Sequence, residues 1–224
     1  MKFVAVAVFL AFALAIGVDS ASVSLSSSQL TLNGNRYPIL NSGDMIALRS
    51  SYPSGSYSKY WMHCSSSYCW YGTCKGTVMT SAAWSGCSSY MYFYIHAMGK
   101  LDGQPINSGD TVSISSKAHG TSYRLYCSTS TSYQCRMYST TSSLSGNTWF
   151  SYNYVTFQIF SRNAVDGTPI QYGDIVAFKY PYAFNSAWLY YYSSRFYPRS
   201  CSTNSKSSCA AENTTTGFRI FKKL

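Results

Sequence analysis

Three observations on this 224-residue sequence predict an all-β fold. A phrase that contains Pro-Ile and closes with Gly-Asp recurs at residues 36–44, 102–110 and 166–174. Each copy runs into a segment in which apolar residues alternate with others, the two-residue period of a strand with one buried face. The 22 tyrosines and 15 glycines are weak helix formers, which disfavours a helical bundle.

Residues 1–21 are predicted to be a secretory signal peptide. A basic start precedes an uncharged apolar run from Phe3 to Ile16, which is shorter than the ~20 residues of a membrane span. Cleavage fits after Ser20 or after Ala21. We therefore expect a secreted, extracellular protein with one domain over residues 22–224 and no membrane span.

Each recurring phrase is interpreted as a tight turn that leads into a strand. Proline restricts φ, glycine supplies a position with positive φ, and aspartate accepts backbone N–H groups that the turn leaves free. The predicted turn residues are Gly43, Asp44, Gly109, Asp110, Gly173 and Asp174. Because Asp102 and Asp166 open two of the phrases, five of the seven acidic residues are assigned to turns.

Matched strands follow each turn in the same order. The first strands are expected at residues 45–49, 111–115 and 175–179, and aromatic-rich second strands at 60–64, 123–127 and 187–191. Each unit then closes with Phe-x-Ile: Phe93 and Ile95, Phe157 and Ile159, and Phe218 and Ile220. The units span roughly residues 30–98, 99–162 and 163–222.

This threefold order resembles the β-trefoil, and the turn phrase with its aromatic-Leu strand and Phe-x-Ile looks like the repeat of fascin-type and MIR-type trefoil domains. The resemblance covers about residues 30–222 and implies a β-trefoil of three pseudo-repeats with four strands each. The longer repeats, the cysteines and the tyrosine content depart from those families, so that no partner is carried over. A sandwich of two sheets is the alternative.

Eight cysteines in a chain that enters the secretory pathway predict four disulfides. They fall into two local pairs and a group of four: Cys127 and Cys135; Cys201 and Cys209; and Cys64, Cys69, Cys74 and Cys87. Three connectivities are open within the group of four, and Cys64–Cys74 with Cys69–Cys87 is favoured because its span best matches the local pairs. Asn213 begins the only Asn-x-Thr sequon and is a candidate N-glycosylation site.

Residues that commonly carry catalysis are scarce. The only histidines are His63, His96 and His119, and the chain has neither a G-x-S-x-G nor an H-E-x-x-H motif. A pair of carboxylates for glycoside hydrolysis would have to come from the turn aspartates. We therefore expect no enzymatic activity, no cofactor and no metal site.

The charge favours a polyanionic partner. Lys and Arg number 17 against 7 acidic residues, for a net charge of +10, with small basic groups at Arg195 and Arg199 and at Lys222 and Lys223. Extracellular glycans, sulfated ones among them, and polyanionic matrix polymers are the expected partners. Nucleic acid is disfavoured by the compartment, and a solvated basic surface without a dedicated partner is the alternative.

Aromatic clusters suggest a second mode of binding. Trp70, Tyr71, Trp188 and Tyr191 are candidates for stacking on sugar rings in a lectin-like protein with up to three pseudo-equivalent sites. Alternatively, these rings fill the core in place of missing aliphatic side chains.

Two further functions stay open. The Ser-, Tyr- and Cys-rich composition also fits a structural component of an extracellular organic matrix, such as a shell, cuticle, mucus or adhesive. A protease inhibitor that presents residues 197–201 on a disulfide-tied loop is less favoured.

Overall fold

The computed structural model describes residues 29–32, 35–51, 60–74, 87–127, 134–140, 155–180, 187–192, 194–201, 205–210 and 215–223. Within these segments the chain is all-β, apart from a 3-10 turn at Ser89–Met91 and a single helical turn, α1 (Lys206–Cys209). No helix in the described segments is long and apolar enough to cross a membrane. The predicted signal peptide and Asn213 lie outside the described residues.

Fourteen strands are described. Strands β1 (Gln29–Leu32) and β2 (Asn35–Pro38) form a separate hairpin. The other twelve belong to one sheet: β3 (Met45–Ser50), β4 (Tyr60–Cys64), β5 (Cys69–Thr73), β6 (Phe93–Ala97), β7 (Thr111–Ser116), β8 (Gly120–Cys127), β9 (Cys135–Ser139), β10 (Phe157–Ser161), β11 (Ile175–Tyr180), β12 (Ala187–Tyr192), β13 (Arg195–Ser200) and β14 (Phe218–Lys222).

Six of these strands close a barrel. In ring order they are β3, β6, β7, β10, β11 and β14, and every neighbouring pair is antiparallel. The alternation in the sequence places two apolar side chains of each strand inside, none of them more than 1% exposed: Ile46, Leu48, Phe93, Ile95, Val112, Ile114, Phe157, Ile159, Val176, Phe178, Phe218 and Ile220. The main core is therefore the barrel interior.

Three hairpins extend from the barrel. Hairpin 1 (β4–β5) follows β3, hairpin 2 (β8–β9) follows β7, and hairpin 3 (β12–β13) follows β11. Each hairpin pairs with its barrel strand, and one residue pair occupies the same position in all three. These pairs are Trp61 opposite Arg49, Arg124 opposite Ser115, and Trp188 opposite Lys179. Because the register agrees, residues of the three hairpins can be compared position by position.

The three turns before β3, β7 and β11 are joined in a ring. The backbone N–H of Leu40 donates to Ile170 O (2.8 Å), that of Ile106 to Leu40 O (2.8 Å), and that of Ile170 to Ile106 O (2.9 Å). The register therefore aligns Leu40, and not Ile39, with the isoleucines of the other two copies. Each residue is 0% exposed, so the ring closes one end of the core.

Glycine and aspartate have the same roles in all three turns. Gly43, Gly109 and Gly173 have φ values of 84°, 96° and 89°, which side chains with a Cβ rarely adopt. One carboxylate oxygen of each aspartate accepts the N–H three residues before it: Asn41 to Asp44 (2.8 Å), Asn107 to Asp110 (2.7 Å) and Gln171 to Asp174 (3.2 Å). These aspartates are therefore structural acceptors.

Four disulfides are present, and the pairing favoured from the sequence for the first unit is wrong. The bonds are Cys64–Cys69, Cys74–Cys87, Cys127–Cys135 and Cys201–Cys209. Cys64 and Cys69 face each other across hairpin 1, with Cα atoms 4.0 Å apart. Sequence separation was a poor guide because the turn of hairpin 1 is shorter than that of hairpin 2.

The disulfides fall into two structural classes. Cys127–Cys135 is the counterpart of Cys64–Cys69, since both bridge directly opposed residues of a hairpin. Cys74 and Cys201 each follow the last strand of a hairpin and pack outside the barrel. Four such bonds indicate that the chain folds in an oxidising environment.

Candidate functional site

Five ring side chains form a continuous strip on hairpins 1 and 2 and the segments next to them, here called the aromatic strip. Its members, in order, are Tyr68, Trp70, Tyr90, His119 and Tyr123. The centroids of successive rings are 5.3, 6.2, 5.4 and 5.2 Å apart. Tyr90 is 39% exposed and the other four are partly exposed, although Tyr123 also packs against the main core, so the strip is accessible to a ligand.

Short polar turns position the rings of the strip. In hairpin 1, the N–H of Ser65 donates to Tyr68 O at 3.0 Å, and Tyr68 and Trp70 flank the disulfide-bonded Cys69. Alternation then turns Trp70 away from Cys69, which belongs to the main core. The strand and its disulfide therefore keep the indole at the surface.

Two loops complete the strip. Tyr90 lies in the 3-10 turn, whose N-terminus is capped by the Ser88 side chain and whose Met91 is buried. His119 lies in the turn between β7 and β8, and its N–H donates to Ser116 Oγ at 3.1 Å. The Nε2 atom of His119 is buried and has no hydrogen-bond partner among the described residues. This nitrogen is a polar group that a bound hydroxyl could satisfy.

His63 supports Trp70 from beneath. The two rings stack with centroids 5.5 Å apart, and His63 Nδ1 lies 2.9 Å from Trp61 O. Burial lowers the pKa of the His63 imidazole, and the hydrogen bond to Trp61 O offsets this only in part. An alanine Cβ at Gly72 would lie 2.6 Å from His63 Cε1, so the glycine is required for this packing. His63 is thus a neutral structural residue at pH 7.

A cation lies at one end of the strip. Arg195, on hairpin 3, places Cζ 3.9 Å from the centroid of the Tyr68 ring, within the range of a cation–π contact. Its Nη1 donates to Gln134 Oε1 at 3.0 Å. All three hairpin regions therefore contribute to this end, where aromatic faces and a positive charge lie side by side.

Three of the four aromatic candidates predicted from the sequence lie elsewhere, and only Trp70 belongs to the strip. Trp188 is 2% exposed and packs outside the barrel against Ala177, Cys209 and Ala210, so it cannot stack on a sugar. Tyr71 and Tyr191 have ring centroids 4.1 Å apart and pack against the main core. Strand alternation shows that a side chain points away from the core but not whether another segment covers it. Here the segment that ends α1 covers Trp188, which packs against Cys209.

The basic candidates also have specific surroundings. Arg199 lies 4.6 Å above the exposed Tyr192 ring, and Lys223 lies 4.2 Å above the Tyr92 ring. Lys222 forms an ion pair with Asp44 at 2.8 Å, which reduces its capacity to attract an external anion. Arg195 is therefore the one basic candidate that contacts the aromatic strip.

Residues 197–200 are part of β13 and pair along its length with β12, so the segment proposed as an inhibitory loop is a strand. Among the described residues, no group of three His, Cys, Asp or Glu is arranged to hold a metal ion.

The sequence did not predict that Tyr90, His119 and Tyr123 lie at the same site as Trp70. They come from a 3-10 turn, a loop and a strand of another hairpin, and only tertiary packing joins them. The sequence Tyr68-Cys-Trp-Tyr71 carries a local signal for part of the strip, because strand alternation places Trp70 and Tyr71 on opposite faces.

No protein-family model matches the chain, and no curated protein sequence matches it. Solved structures do match. The SDF2-like protein from Arabidopsis thaliana aligns with a TM-score of 0.50 at 10% identity, over 81% of this chain and 94% of that one. A Caenorhabditis elegans protein of unknown function aligns with a TM-score of 0.52 at 8% identity, over 83% of this chain and 97% of that one. At these identities the likeness concerns the fold alone, which is all-β.

Two matching structures correct an expectation drawn from the sequence. They are of a GH54 α-L-arabinofuranosidase, a glycosidase, and align with TM-scores of 0.48 and 0.49 at 12% and 11% identity, over 86% of this chain and 34% of that chain. Against the expectation that this protein has no enzymatic activity, an enzyme is among the similar structures, and that expectation is not carried further. The likeness is too distant to transfer an active site or a substrate.

Proposed function

We propose that this protein is a secreted β-trefoil that binds extracellular glycans or polyanionic matrix polymers at the aromatic strip. The observation that carries the proposal is the strip itself, five successive rings with Arg195 at one end. Sugar rings present C–H groups that stack on aromatic faces, while sulfate and carboxylate groups pair with a guanidinium.

The trefoil assignment is supported by topology. A closed barrel of six strands, three hairpins in one register and a cyclic ring of turn hydrogen bonds match three copies of a four-strand repeat. Secretion is supported by the apolar start of the chain and by the four disulfides. The candidate glycosylation site, Asn213, follows Cys209 in the sequence.

The strip has the features of a carbohydrate site. Trp70 has the largest ring in it, and both of its ring neighbours on the strip, Tyr68 and Tyr90, carry a hydroxyl group that can hydrogen-bond a sugar. The rings are held by strands, a disulfide and capped turns, so little side-chain entropy is lost on binding.

Affinity chromatography on neutral and sulfated polysaccharide resins tests the proposal. The wild type is expected to be retained, and Trp70→Ala and Tyr90→Ala are expected to weaken retention by about 10-fold, as for loss of a ring contact worth roughly 1.4 kcal/mol. Retention on the sulfated resin should have a component that salt suppresses, and Arg195→Gln should reduce that component only. Retention on the neutral resin should not change.

The matched control is Tyr192→Ala, because Tyr192 is 53% exposed and lies on hairpin 3, outside the strip. This variant should be retained like the wild type. Passage of the wild type through both resins, or equal losses for Tyr192→Ala and Trp70→Ala, would overturn the proposal.

A structural role in an extracellular matrix is the second candidate. It is favoured by two tyrosines that are unusually exposed, Tyr138 at 48% and Tyr192 at 53%, each within 5.5 Å of an arginine guanidinium. Exposed phenols can be cross-linked oxidatively. Peroxidase treatment should then yield dityrosine fluorescence and covalent multimers, and Tyr138→Phe with Tyr192→Phe should reduce both. Monomeric wild type after treatment would exclude this role.

A further inference from the structure

The outer faces of the barrel carry three corresponding clusters, one beside each hairpin. The hairpin residue paired to the barrel strand is Trp61, Arg124 or Trp188. These residues pair with Arg49, Ser115 and Lys179 of the barrel strands. Two residues earlier in each barrel strand, on the same face, lie Ala47, Ser113 and Ala177 respectively. Opposite these three residues lie Phe221, His96 and Phe160 respectively. The register thus defines the same three positions in each cluster.

The first and third clusters are apolar. Trp61 packs with Ala47, Phe221 and Cys74, and Trp188 packs with Ala177, Phe160 and Cys201. The second cluster has a polar residue at every corresponding position: Arg124 for Trp, Ser113 for Ala, His96 for Phe, and Thr140, which follows hairpin 2 where Cys74 and Cys201 follow the other two. All four positions are therefore polar in the second cluster and apolar in the first and third.

Despite this change, the second cluster is buried. Arg124 is 0% exposed, and Ser113 and Ser115 are each 1% exposed. Ser113 and Ser115 lie two residues apart on the same face of β7, opposite His96 on β6 and Arg124 on β8 respectively. Among the described residues, Ser113 Oγ, Ser115 Oγ and His96 Nε2 have no hydrogen-bond partner. Buried polar atoms without partners destabilise the folded state, so a bound group that satisfies them is favoured.

The charge of the cluster indicates what that group is. Arg124 contributes a positive charge, and the two serine hydroxyls can donate hydrogen bonds. Because His96 Nδ1 faces the Asp102 carboxylate, which only accepts, His96 Nε2 donates when the imidazole is protonated, a form that a bound anion favours. Each of the five described aspartates already has a side-chain partner, including Asp102, which lies 3.3 Å from His96 Nδ1. Donors on three neighbouring strands around a guanidinium fit an anion with several oxygens.

We propose that His96, Ser113, Ser115 and Arg124 bind one tetrahedral oxyanion, either as a free ion or as a sulfate or phosphate ester. Tyr138 lies directly opposite Arg124 in hairpin 2 and is 48% exposed. We expect an ester to approach the buried cluster past this side chain. The site is separate from the aromatic strip and does not rest on the function proposed for the strip.

Equilibrium dialysis with radiolabelled sulfate tests the proposal, at constant ionic strength with chloride as the balancing anion. The wild type is expected to bind one sulfate saturably. Ser113→Ala with Ser115→Ala should weaken binding by about 10-fold or more, because hydrogen bonds to a charged group are lost. The triple change His96→Phe, Ser113→Ala and Arg124→Trp installs the apolar set of the other two clusters and should abolish sulfate binding in a folded protein.

Two controls separate the site from general electrostatics and from the strip. Arg136→Gln removes one charge from the outer face of hairpin 2, where Arg136 contacts the Tyr138 ring at 5.5 Å, and should leave sulfate binding unchanged. Trp70→Ala should also leave it unchanged. The proposal is overturned if the wild type shows no saturable binding, if the serine variant binds like the wild type, or if Arg136→Gln reduces binding as much as the serine changes.

Competition then distinguishes the source of the oxyanion. Displacement of sulfate by N-acetylglucosamine 6-sulfate, but not by N-acetylglucosamine, supports a site for a glycan ester. Displacement by inorganic phosphate alone supports a site for the free ion.

Discussion

Gly43 and Gly173 provide a test of how the turns are packed against one another. Both glycines have positive φ, at 84° and 89°, and each precedes the aspartate of its turn. Their surroundings differ. A Cβ at Gly43 would lie 2.6 Å from Asp102 Cγ and 2.7 Å from its Oδ1, whereas a Cβ at Gly173 would have nothing within 4 Å. Replacing each by alanine therefore separates backbone strain from steric overlap.

The expected magnitudes follow from these surroundings. Gly173→Ala should cost about 1–2 kcal/mol of unfolding free energy, the strain of a left-handed backbone with a Cβ. Gly43→Ala should cost a further 1–3 kcal/mol or so, because overpacking forces Asp102 to move and disturbs its contact with His96 at 3.3 Å. For a chain of this size the difference corresponds to melting temperatures about 2–12 °C apart.

Thermal and urea unfolding with the disulfides intact measures both variants. Adding Asp102→Ala to Gly43→Ala removes the two shortest contacts and leaves the Cβ contact of 3.0 Å, so most of the excess destabilisation should be recovered. Equal unfolding free energies for Gly43→Ala and Gly173→Ala would refute the reasoning, as would a double variant no more stable than Gly43→Ala.

Three further predictions concern covalent structure and pH. Peptide mapping of the non-reduced protein should yield Cys64–Cys69 and Cys74–Cys87 peptides, and a Cys64–Cys74 peptide would contradict the structure. Burial, and next the hydrogen bond to Asp44, raise the pKa of the Tyr172 phenol, so its contribution to stability is present below about pH 10 and is lost as the pH rises further. Tyr172→Phe should flatten the alkaline loss of stability in urea unfolding, while Tyr192→Phe should not; identical profiles would refute this role. Burial lowers the pKa of His63, so stability should decline as the pH falls below about 6.5. His63→Gln should reduce that decline in thermal unfolding, and an unchanged decline would contradict this role.

Local patterns in the sequence predicted the strands well. Tyr60–Cys64 was expected as a strand and is β4 in full, and β3, β7, β11 and β12 each extend the expected strand by one residue. Alternation succeeds here because the barrel interior accepts every second side chain of six strands and excludes water from it.

Non-local relations were predicted less well. Cys64 was assigned to Cys74 because spacing along the chain says nothing about which residues face each other in a hairpin. Trp188 was proposed as an exposed ring, but it is covered by the Cys209–Ala210 region, which is distant in sequence. Neither error could be corrected from local residue patterns.

The sequence alone determined the all-β class, the three turns and the commitment of the turn aspartates, because backbone sterics, hydrogen bonding and side-chain alternation act over a few residues. Tertiary structure decided which side chains meet. It aligned Tyr68, Trp70, Tyr90, His119 and Tyr123 into one strip, and it placed Arg124 where the other two hairpins have tryptophan. Those relations depend on strand register and on which outer faces are covered, and both arise from packing between segments far apart in the chain.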